Sequence, residues 1–195
     1  MTVLRAICVY CGSSAGNHPR YADSAKRLGQ LLARRDITLV FGGGRIGLMG
    51  IMADAALDAG GRVIGVIPSG LKTAEIAHAD CTELVVTPSM HARKEKMFEL
   101  SDGFMALPGG IGTLEEVIEV ITWRQLRFHD KPIVIVDDGG YWQPLKALFD
   151  ATVAAGFAHA DLNSLCRFVA TVEEAVTVLA SSPAPLRPDA PAERL

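Results

Sequence analysis

The stretch ALPGGIGTLEEV, residues 106–117, connects the end of a predicted strand to the start of a predicted helix through a glycine-rich turn. A β-rich run before such a turn and a helical pattern after it form the unit from which parallel α/β folds are built. Thr113 and Glu116 also have the spacing of a helix-capping box, which predicts that the helix begins at about residue 114. Glu116 therefore has two interpretations: it stabilises the helix end, or it acts on a ligand bound in the turn.

The same alternation of short β-rich runs and longer helical patterns continues on both sides of this stretch. Strands are predicted at about residues 3–11, 37–41, 62–67, 83–87, 103–107, 132–136 and 167–170. Helices are predicted between them, at about residues 19–35, 47–59, 89–101, 114–127, 141–155 and 172–181. The pattern predicts a doubly wound, Rossmann-like α/β fold, with a parallel sheet and helices on both of its faces.

Composition and chain punctuation indicate one domain, residues 1–182, followed by a tail. The chain has 195 residues, of which 49% are hydrophobic, and this is enough for one well-buried core. Gly60 and Gly61 end the second helix, and residues 171–174 form a capping box at the start of the last one. Four prolines in residues 183–195 predict a disordered tail.

Charge and hydropathy exclude several classes of partner. The formal net charge of -3, without a basic block, argues against binding to nucleic acid. No apolar run reaches the roughly 18 residues that span a bilayer, and the first residues make a poor signal peptide, so a cytoplasmic protein without membrane association is expected. Cys8 and Cys11 have the C-x-x-C spacing of a redox or metal half-site, but no second pair completes a zinc site. We therefore expect no metal and no disulfide framework.

Three loops that follow predicted strands carry unusual sequences. They are CGSSAGN from Cys11, GGGRIGLMG at residues 42–50 and PGGIGT at residues 108–113. Because ligands bind at the carboxyl ends of the strands in open α/β sheets, all three loops should converge on one crevice. The second loop contains G-x-G-x-x-G, but the next strand ends without the acidic residue that a dinucleotide site uses, and no Walker A loop occurs. No NAD, FAD or other cofactor is therefore expected.

The third loop, PGGIGT, is suited to an anion. Gly109, Gly110 and Gly112 let the backbone approach a phosphate closely, and the next helix directs its N–H groups and positive dipole end to the same place. Thr113 can add a hydroxyl donor. The alternative is a tight strand-to-helix turn that uses glycine only for its conformation.

The helix SMHARKEKMFELS carries two cations in an unusual position. Its apolar arc is defined by Met90, Met97, Phe98 and Leu100, and the opposite side by Ala92, Glu95, Lys96 and Glu99. Arg93 and Lys94 fall inside the apolar arc, which favours a bound phosphate or carboxylate because a buried cation needs an anion. The alternative is that the long side chains extend to a nearby surface.

The helix after PGGIGT is apolar nearly all round. The residues concerned are Leu114, Val117, Ile118, Val120, Ile121, Trp123 and Leu126. Such a helix needs covering on more sides than a sheet provides, so a homodimer that packs on it is expected. Burial of the helix in the core of one chain is the competing interpretation.

Together, PGGIGTLEE and MHARK resemble the Lonely Guy family of cytokinin-activating phosphoribohydrolases. The loops CGSS and GGGRIGLMG are similar to that family's loops in the same order, so the resemblance covers about residues 5–180. Proteins of this family have often been labelled lysine decarboxylases, but nothing in the sequence indicates a lysine that carries pyridoxal phosphate.

The resemblance implies hydrolysis of the N-glycosidic bond of a purine nucleoside 5'-monophosphate, which releases the free base and ribose 5-phosphate. The family's usual substrates are the cytokinin N6-isopentenyladenine riboside monophosphate and AMP. Arg93 and Glu116 are implied as the catalytic pair. The implied substrate contacts are Glu75, Arg93, Lys94, Gly110, Ile111, Gly112, Thr113, Leu114, Glu115, Glu116 and Thr122.

The residue types fit this chemistry. Breaking a glycosidic C–N bond builds positive charge on the ribose, so a fixed carboxylate, here Glu116, stabilises that charge and activates water. Arg93 is a poor proton donor and would instead hold the phosphate or ribose and orient Glu116. Two other classes stay open: a non-catalytic nucleotide sensor or carrier, and a hydrolase that acts at phosphate, for which a cluster of metal-binding acids would be expected.

Overall fold

The computed structural model describes residues 4–72 and 77–182, whose strands form one 7-stranded sheet. The strands are β1 Ala6–Tyr10, β2 Thr38–Phe41, β3 Val63–Pro68, β4 Glu83–Thr87, β5 Gly103–Ala106, β6 Ile133–Val136 and β7 Arg167–Val169. The helices are α1 Pro19–Arg34, α2 Gly47–Asp58, α3 Met90–Glu99, α4 Ile111–Gln125, α5 Gln143–Ala154 and α6 Val172–Ser181. Each predicted element is present within a few residues of its predicted bounds.

The sheet is parallel throughout, with the strand order β4-β3-β2-β1-β5-β6-β7. The order reverses between β1 and β5, which pair directly from Ile7 opposite Gly103 to Tyr10 opposite Ala106. This is the doubly wound topology that the sequence predicts. In such sheets the ligand crevice lies outside the carboxyl ends of the strands at the reversal, here between the loops after β1 and β5.

Helices cover both faces of the sheet, and each face has its own apolar core between the sheet and its helices. The core under α1, α2 and α6 includes Leu28, Met52 and Val176, and the core under α3, α4 and α5 includes Met97 and Val120. The helices and the sheet are held together by the apolar surface that they bury between them, because removing apolar surface from water is the main contribution to the stability of the fold.

The first strand separates the two cysteines of the C-x-x-C pair. Because side chains alternate along a strand, Cys8 lies in the core under α3, α4 and α5, whereas Cys11 lies in the core under α1, α2 and α6. Both thiols are free and buried, and burial raises the pKa of each. The two sulfurs therefore do not form one half-site.

The predicted capping box at the start of α4 is wrong. The helix begins at Ile111, with Gly110 as its N-cap and no side-chain capping bond, because the preceding glycines already complete the turn. Thr113 is consequently a buried residue of the first turn. Glu116 lies one and a half turns into the helix, away from the position at which it could accept a cap N–H.

Two other predicted helix ends are confirmed. Thr171 accepts the N–H of Glu174 at 3.2 Å, and Glu174 in turn accepts the N–H of Ala170 at 3.2 Å. Gly60 follows α2 with a φ of 78°, in the left-handed region. The tail predicted for residues 183–195 lies outside the described residues. Within residues 4–72 and 77–182, the helices lack the length and apolar character needed to cross a membrane.

Candidate active site

The three glycine-rich loops meet at the carboxyl ends of the strands, as the sequence predicts. The Gly12 N–H donates to the Pro108 carbonyl at 3.1 Å, which joins the loop after β1 to the loop after β5. The Leu48 N–H, in the first turn of α2, donates to the Gly12 carbonyl at 3.0 Å. The Tyr141 hydroxyl donates to the Gly109 carbonyl at 2.7 Å. The loops enclose a cleft of ≈ 300 Å³, lined by residues 12–17, Tyr21, Leu48, residues 108–110 and Tyr141.

The G-x-G-x-x-G pattern of the second loop serves packing within the protein. Gly47 has a φ of 64°, and a methyl group at this position would overlap the backbone of Ser13. The N–H groups of Leu48 and Met49, in the first turn of α2, both donate to the Gly12 carbonyl. A protein carbonyl therefore already meets the amides that a dinucleotide phosphate would use in this loop.

The N-terminus of α4, unlike that of α2, is open to the approach of a ligand. Gly110 caps it without a side-chain hydrogen bond, and a methyl group at Gly110 or Gly112 would meet nothing within 4 Å. Gly109, by contrast, packs so closely against Thr113 that a methyl group there would overlap the threonine hydroxyl. The first turn of α4 thus presents open, glycine-flanked backbone to the crevice, which favours the approach of an anion.

Arg93 and Glu116 form an ion pair between α3 and α4. Arg93 Nη2 donates to Glu116 Oε1 at 2.8 Å, and each side chain is 12% exposed. Ser89 begins α3 by accepting the Ala92 N–H at 3.2 Å, and this fixes the turn that carries Arg93. Arg93 Nη1 donates to Met90 Sδ at 3.2 Å. A thioether sulfur is a weak acceptor, so a ligand oxygen would be a better partner for this nitrogen.

The environment of Glu116 brings the pKa of its carboxyl group close to neutral pH. Burial raises the pKa of Glu116 from 4.5 to about 7, although the positive charge of Arg93 lowers it. The carboxylates of Glu115 and Glu119 raise this pKa further, and the charge of Lys94 lowers it. A carboxyl group that titrates near the working pH is suited to general base catalysis.

Lys94 is held by two carboxylates of α4. Its Nζ donates to Glu115 at 2.5 Å and to Glu119 at 2.9 Å, and its side chain is largely buried. Burial alone lowers the pKa of Lys94, but the hydrogen bonds with Glu115 and Glu119 raise it above its ordinary value. Carboxylates of the protein itself therefore meet both cations, and a bound anion as a further partner of Arg93 and Lys94 stays a prediction.

The structure does not place two other predicted site residues, Glu75 and Thr122, beside this pair. Glu75 falls outside the described residues. Thr122 is exposed, and it lies about 16 Å along the helix axis from Ile111 at 1.5 Å per residue. Met90 is also exposed, contrary to its predicted place in a buried arc, because α3 buries only Lys94 and Met97.

Sequence reasoning missed several residues that shape the site. Glu119 completes the pair of carboxylates around Lys94, and its position four residues after Glu115 was the available signal. Tyr141 and the Gly12 carbonyl hold the loops, which no local pattern indicates. In the part of the chain that the structure describes, His, Cys, Asp and Glu side chains form no group of three or more that could hold a metal ion.

The fold and the site identify this chain as a doubly wound α/β protein. Its candidate site combines an open, glycine-flanked helix N-terminus with a buried arginine–glutamate pair. A family model described as "Possible lysine decarboxylase" matches residues 49–179. A probable cytokinin riboside 5'-monophosphate phosphoribohydrolase of Oryza sativa subsp. japonica is 49% identical over 168 residues, which cover 86% of this chain and 75% of that protein. The chain belongs to this family, the Lonely Guy family.

A bacterial relative and two solved structures extend the comparison. The cytokinin riboside 5'-monophosphate phosphoribohydrolase of Rhodococcoides fascians is 42% identical over 178 residues, 91% of this chain and 90% of that one. The molybdenum cofactor carrier protein from Chlamydomonas reinhardtii is 27% identical, with a TM-score of 0.68 over 92% of this chain and 99% of that one. The molybdenum cofactor binding protein from Rippkaea orientalis, 23% identical, has a TM-score of 0.69 over 93% and 98% and shares the fold.

Proposed function

We propose that this protein is a phosphoribohydrolase, which hydrolyses the N-glycosidic bond of a purine nucleoside 5'-monophosphate to the free base and ribose 5-phosphate. The observation that carries the proposal is the buried ion pair of Arg93 with Glu116, because Glu116 lies on α4, the helix with the open N-terminus. Relatives that are 50% and 42% identical are named for this activity. Its cytoplasmic location stays a prediction from the sequence.

The 5'-phosphate binds at the first turn of α4. Gly110 and Gly112 leave the backbone accessible there, and helix N–H groups with the positive end of the helix dipole stabilise a dianion. The bond from Tyr141 to Gly109 fixes the turn before the substrate arrives, which reduces the entropy lost on binding. Lys94 contributes indirectly, because it neutralises two carboxylates that would otherwise repel the phosphate.

Glu116 acts on the glycosidic bond. As the C–N bond breaks, its electrons leave with the base and positive charge develops on the ribose. The deprotonated carboxylate of Glu116 stabilises this charge and removes a proton from the water that attacks the ribose carbon. The hydroxyl of this water ends on the ribose, and its proton balances the one that the departing base takes up. Because the pKa of Glu116 is about 7, a large fraction of the protein carries the active carboxylate at neutral pH.

Arg93 positions Glu116 and the sugar phosphate. A guanidinium hardly ever deprotonates, so Arg93 does not protonate the base. Its Nη2 holds Glu116 Oε1, and its Nη1 exchanges the sulfur of Met90 for a ribose or phosphate oxygen. One side chain thereby aligns the carboxylate with the bond that it attacks.

The substrates that we propose are a cytokinin-type N6-modified adenosine monophosphate and AMP. Purified protein is incubated separately with N6-isopentenyladenosine 5'-monophosphate and with AMP, and the released base is separated and quantified by liquid chromatography. We expect free base from both, and the ratio of the two kcat/KM values gives the preference. If neither nucleotide yields free base, the proposed function is wrong.

A nucleotide carrier without catalysis is the alternative function. The likeness to a molybdenum cofactor carrier protein at 27% identity favours it. A carrier would bind the nucleotide through the same loops and release it intact. The raised pKa of Glu116, inside a site that also opens to an anion, favours catalysis, because a carrier does not need a base that titrates near neutral pH.

Lysine decarboxylation is not supported by the surroundings of Lys94 and Lys131, two lysines of the described chain. A pyridoxal phosphate enzyme needs a lysine amine that is available to form a Schiff base. Lys94 is held as a cation by two glutamates. Lys131 lies just before β6, at the opposite end of the sheet from the crevice, and donates to the Phe98 carbonyl at 2.7 Å.

We further propose a homodimer that forms through α4. The helix buries Val117, Val120 and Ile121 against the sheet, so only one side of it is covered. The outer side of the helix carries a stripe of exposed apolar residues, in which Ile111 is 82% exposed and Leu126 is 58% exposed. Ile118 also belongs to this exposed stripe, and Thr122 lies between Ile118 and Leu126. Several large apolar side chains exposed along one side of a helix are typical of an interaction surface.

Twofold symmetry would explain how Thr122 can belong to the site. In a symmetric dimer the same surface of each chain packs against itself, so two copies of α4 can lie antiparallel across the axis. An axis near Ile118 brings Thr122 of one copy opposite Leu114 of the other, next to the glycine turn. Thr122 would then approach a substrate bound by the second chain.

We expect light scattering to give a mass twice the 20.8 kDa of one chain at micromolar concentration. Ile118→Arg should convert the protein to a monomer, because it places a charge in the centre of the stripe. Leu148→Arg is the matched control, since Leu148 is an exposed apolar residue of α5, outside the stripe. A monomeric native protein, or a dimer that Ile118→Arg leaves intact, would contradict the proposed interface.

A further inference from the structure

Gly42, directly after β2, faces the guanidinium of Arg93. A methyl group at this position would overlap Arg93 Nη2 and stand 3.2 Å from its Cζ. Nη2 is the nitrogen that donates to Glu116 Oε1 at 2.8 Å. The absence of a side chain at Gly42 therefore leaves the space in which the ion pair is made.

The backbone of Gly42 does not itself require glycine. The positive φ values of this loop belong to Gly43, at 72°, and Gly47, at 64°, whereas Gly42 lies outside the left-handed region. Apart from Arg93, the methyl group would meet Met49 Sδ at 3.3 Å, the end of a flexible side chain. Alanine at Gly42 would thus strain no backbone and would act on Arg93.

We propose that Gly42 is a positioning residue for the reaction, which seats Arg93 Nη2 against Glu116 by leaving room for the guanidinium. This inference rests on the proposed function, since it concerns the geometry of the same catalytic pair. It also gives the first glycine of the G-x-G-x-x-G pattern a role unrelated to a dinucleotide.

The test compares Gly42→Ala with Gly70→Ala. Gly70 lies in the turn after β3, and a methyl group there would meet nothing within 4 Å. We expect both variants to keep the native melting temperature within a few degrees. In Gly42→Ala, kcat should fall about 10- to 100-fold, as expected when a reacting group moves by about 1 Å. Gly70→Ala should keep the native kcat.

Two further readouts separate positioning from a general structural effect. In a double-mutant cycle, Gly42→Ala should add no further loss to Arg93→Ala, because both remove the same interaction. The carboxyl ¹³C resonance of Glu116 reports its titration without substrate. The charge of Arg93 lowers the pKa of Glu116, so we expect this pKa to be higher in Gly42→Ala than in the native protein.

The proposal is overturned if Gly42→Ala keeps the native kcat and the native titration of Glu116. It is also overturned if the variant fails to fold, or if its loss multiplies with that of Arg93→Ala. Failure of the proposed function is a separate result, in which the native protein releases no base. In that case the ¹³C titration still decides whether Gly42 positions Arg93 against Glu116.

Discussion

Glu116→Gln is expected to fold normally and to lose almost all release of base from a nucleoside monophosphate. The amide keeps the size of the side chain and can still accept a hydrogen bond from Arg93 Nη2, so the contact between α3 and α4 is retained. It carries no charge to stabilise the ribose cation and cannot act as a base. We expect kcat to fall about 10³-fold, within the range of about 10² to 10⁴ that a general base contributes. Steady-state kinetics with quantified base measure this loss.

The same variant should change how stability depends on pH. The pKa of Glu116 is raised in the folded state, so the native protein gains stability from the protonated carboxyl below about pH 4.5 and loses it as pH rises to about 7. Glutamine does not titrate. The free energy of unfolding of Glu116→Gln should therefore increase relative to the native protein across this window, by up to about 3 kcal/mol at 1.36 kcal/mol per pKa unit. Urea unfolding at pH 4, 5.5 and 8, values that span about this window, measures the difference.

Two outcomes would contradict the assigned role of Glu116. Native turnover in a folded Glu116→Gln would show that the carboxylate does no chemistry. A loss of stability that accounts for the loss of activity would make the residue structural. Glu173→Gln is a suitable control, because Glu173 lies in the first turn of α6 and is outside the crevice.

Arg93→Ala is expected to produce the second large effect. The variant removes the hydrogen bond that orients Glu116 and the nitrogen that is proposed to receive a substrate oxygen. We expect kcat to fall about 10²- to 10³-fold, as for the loss of one charge-stabilising donor. KM should rise about 10-fold, because a hydrogen bond to a charged group is lost.

The control for this variant is Arg62→Ala. Arg62 forms an exposed ion pair with Glu83 at 2.9 Å, and exposed pairs contribute little to stability. Arg62→Ala should therefore keep native kcat and KM. If Arg93→Ala releases base at the native rate, then Arg93 serves only to neutralise Glu116, and the catalytic pair is wrongly assigned.

The sequence predicts the framework of the site because the framework depends on local periodicity. Alternating β-rich and helical runs are sufficient for a parallel sheet, and the rule for parallel sheets then brings the glycine loops together. Arg93 is identified by its position on an apolar arc, and Glu116 by its place in the PGGIGTLEE motif. These features need no knowledge of tertiary contacts.

The start of α4 could not be predicted because two local signals compete. Thr113 and Glu116 have capping-box spacing, but Gly110 already completes the turn and the chain is helical from Ile111. A capping pattern specifies which side chain can meet an N–H, and it does not exclude an earlier start. Glu116 therefore does not cap the start of α4 in the structure.

The partners of the buried cations also lay beyond local patterns. Periodicity shows that Arg93 and Lys94 point inward, but it does not show what they meet. Glu116 and Glu119 reach them only because α3 and α4 pack side by side on one face of the sheet. The close approach of Gly42 to Arg93 likewise brings together a loop and a helix that are distant in sequence.

The products formed from a nucleoside monophosphate show directly which bond the protein breaks and whether Glu116 is needed to break it. Native protein and Glu116→Gln are incubated in parallel with N6-isopentenyladenosine 5'-monophosphate, and free base, nucleoside, ribose 5-phosphate and inorganic phosphate are all quantified. We expect equal amounts of free base and ribose 5-phosphate from the native protein, and almost none of either from Glu116→Gln. Release of nucleoside and inorganic phosphate, or recovery of intact nucleotide from the native protein, would contradict this expectation.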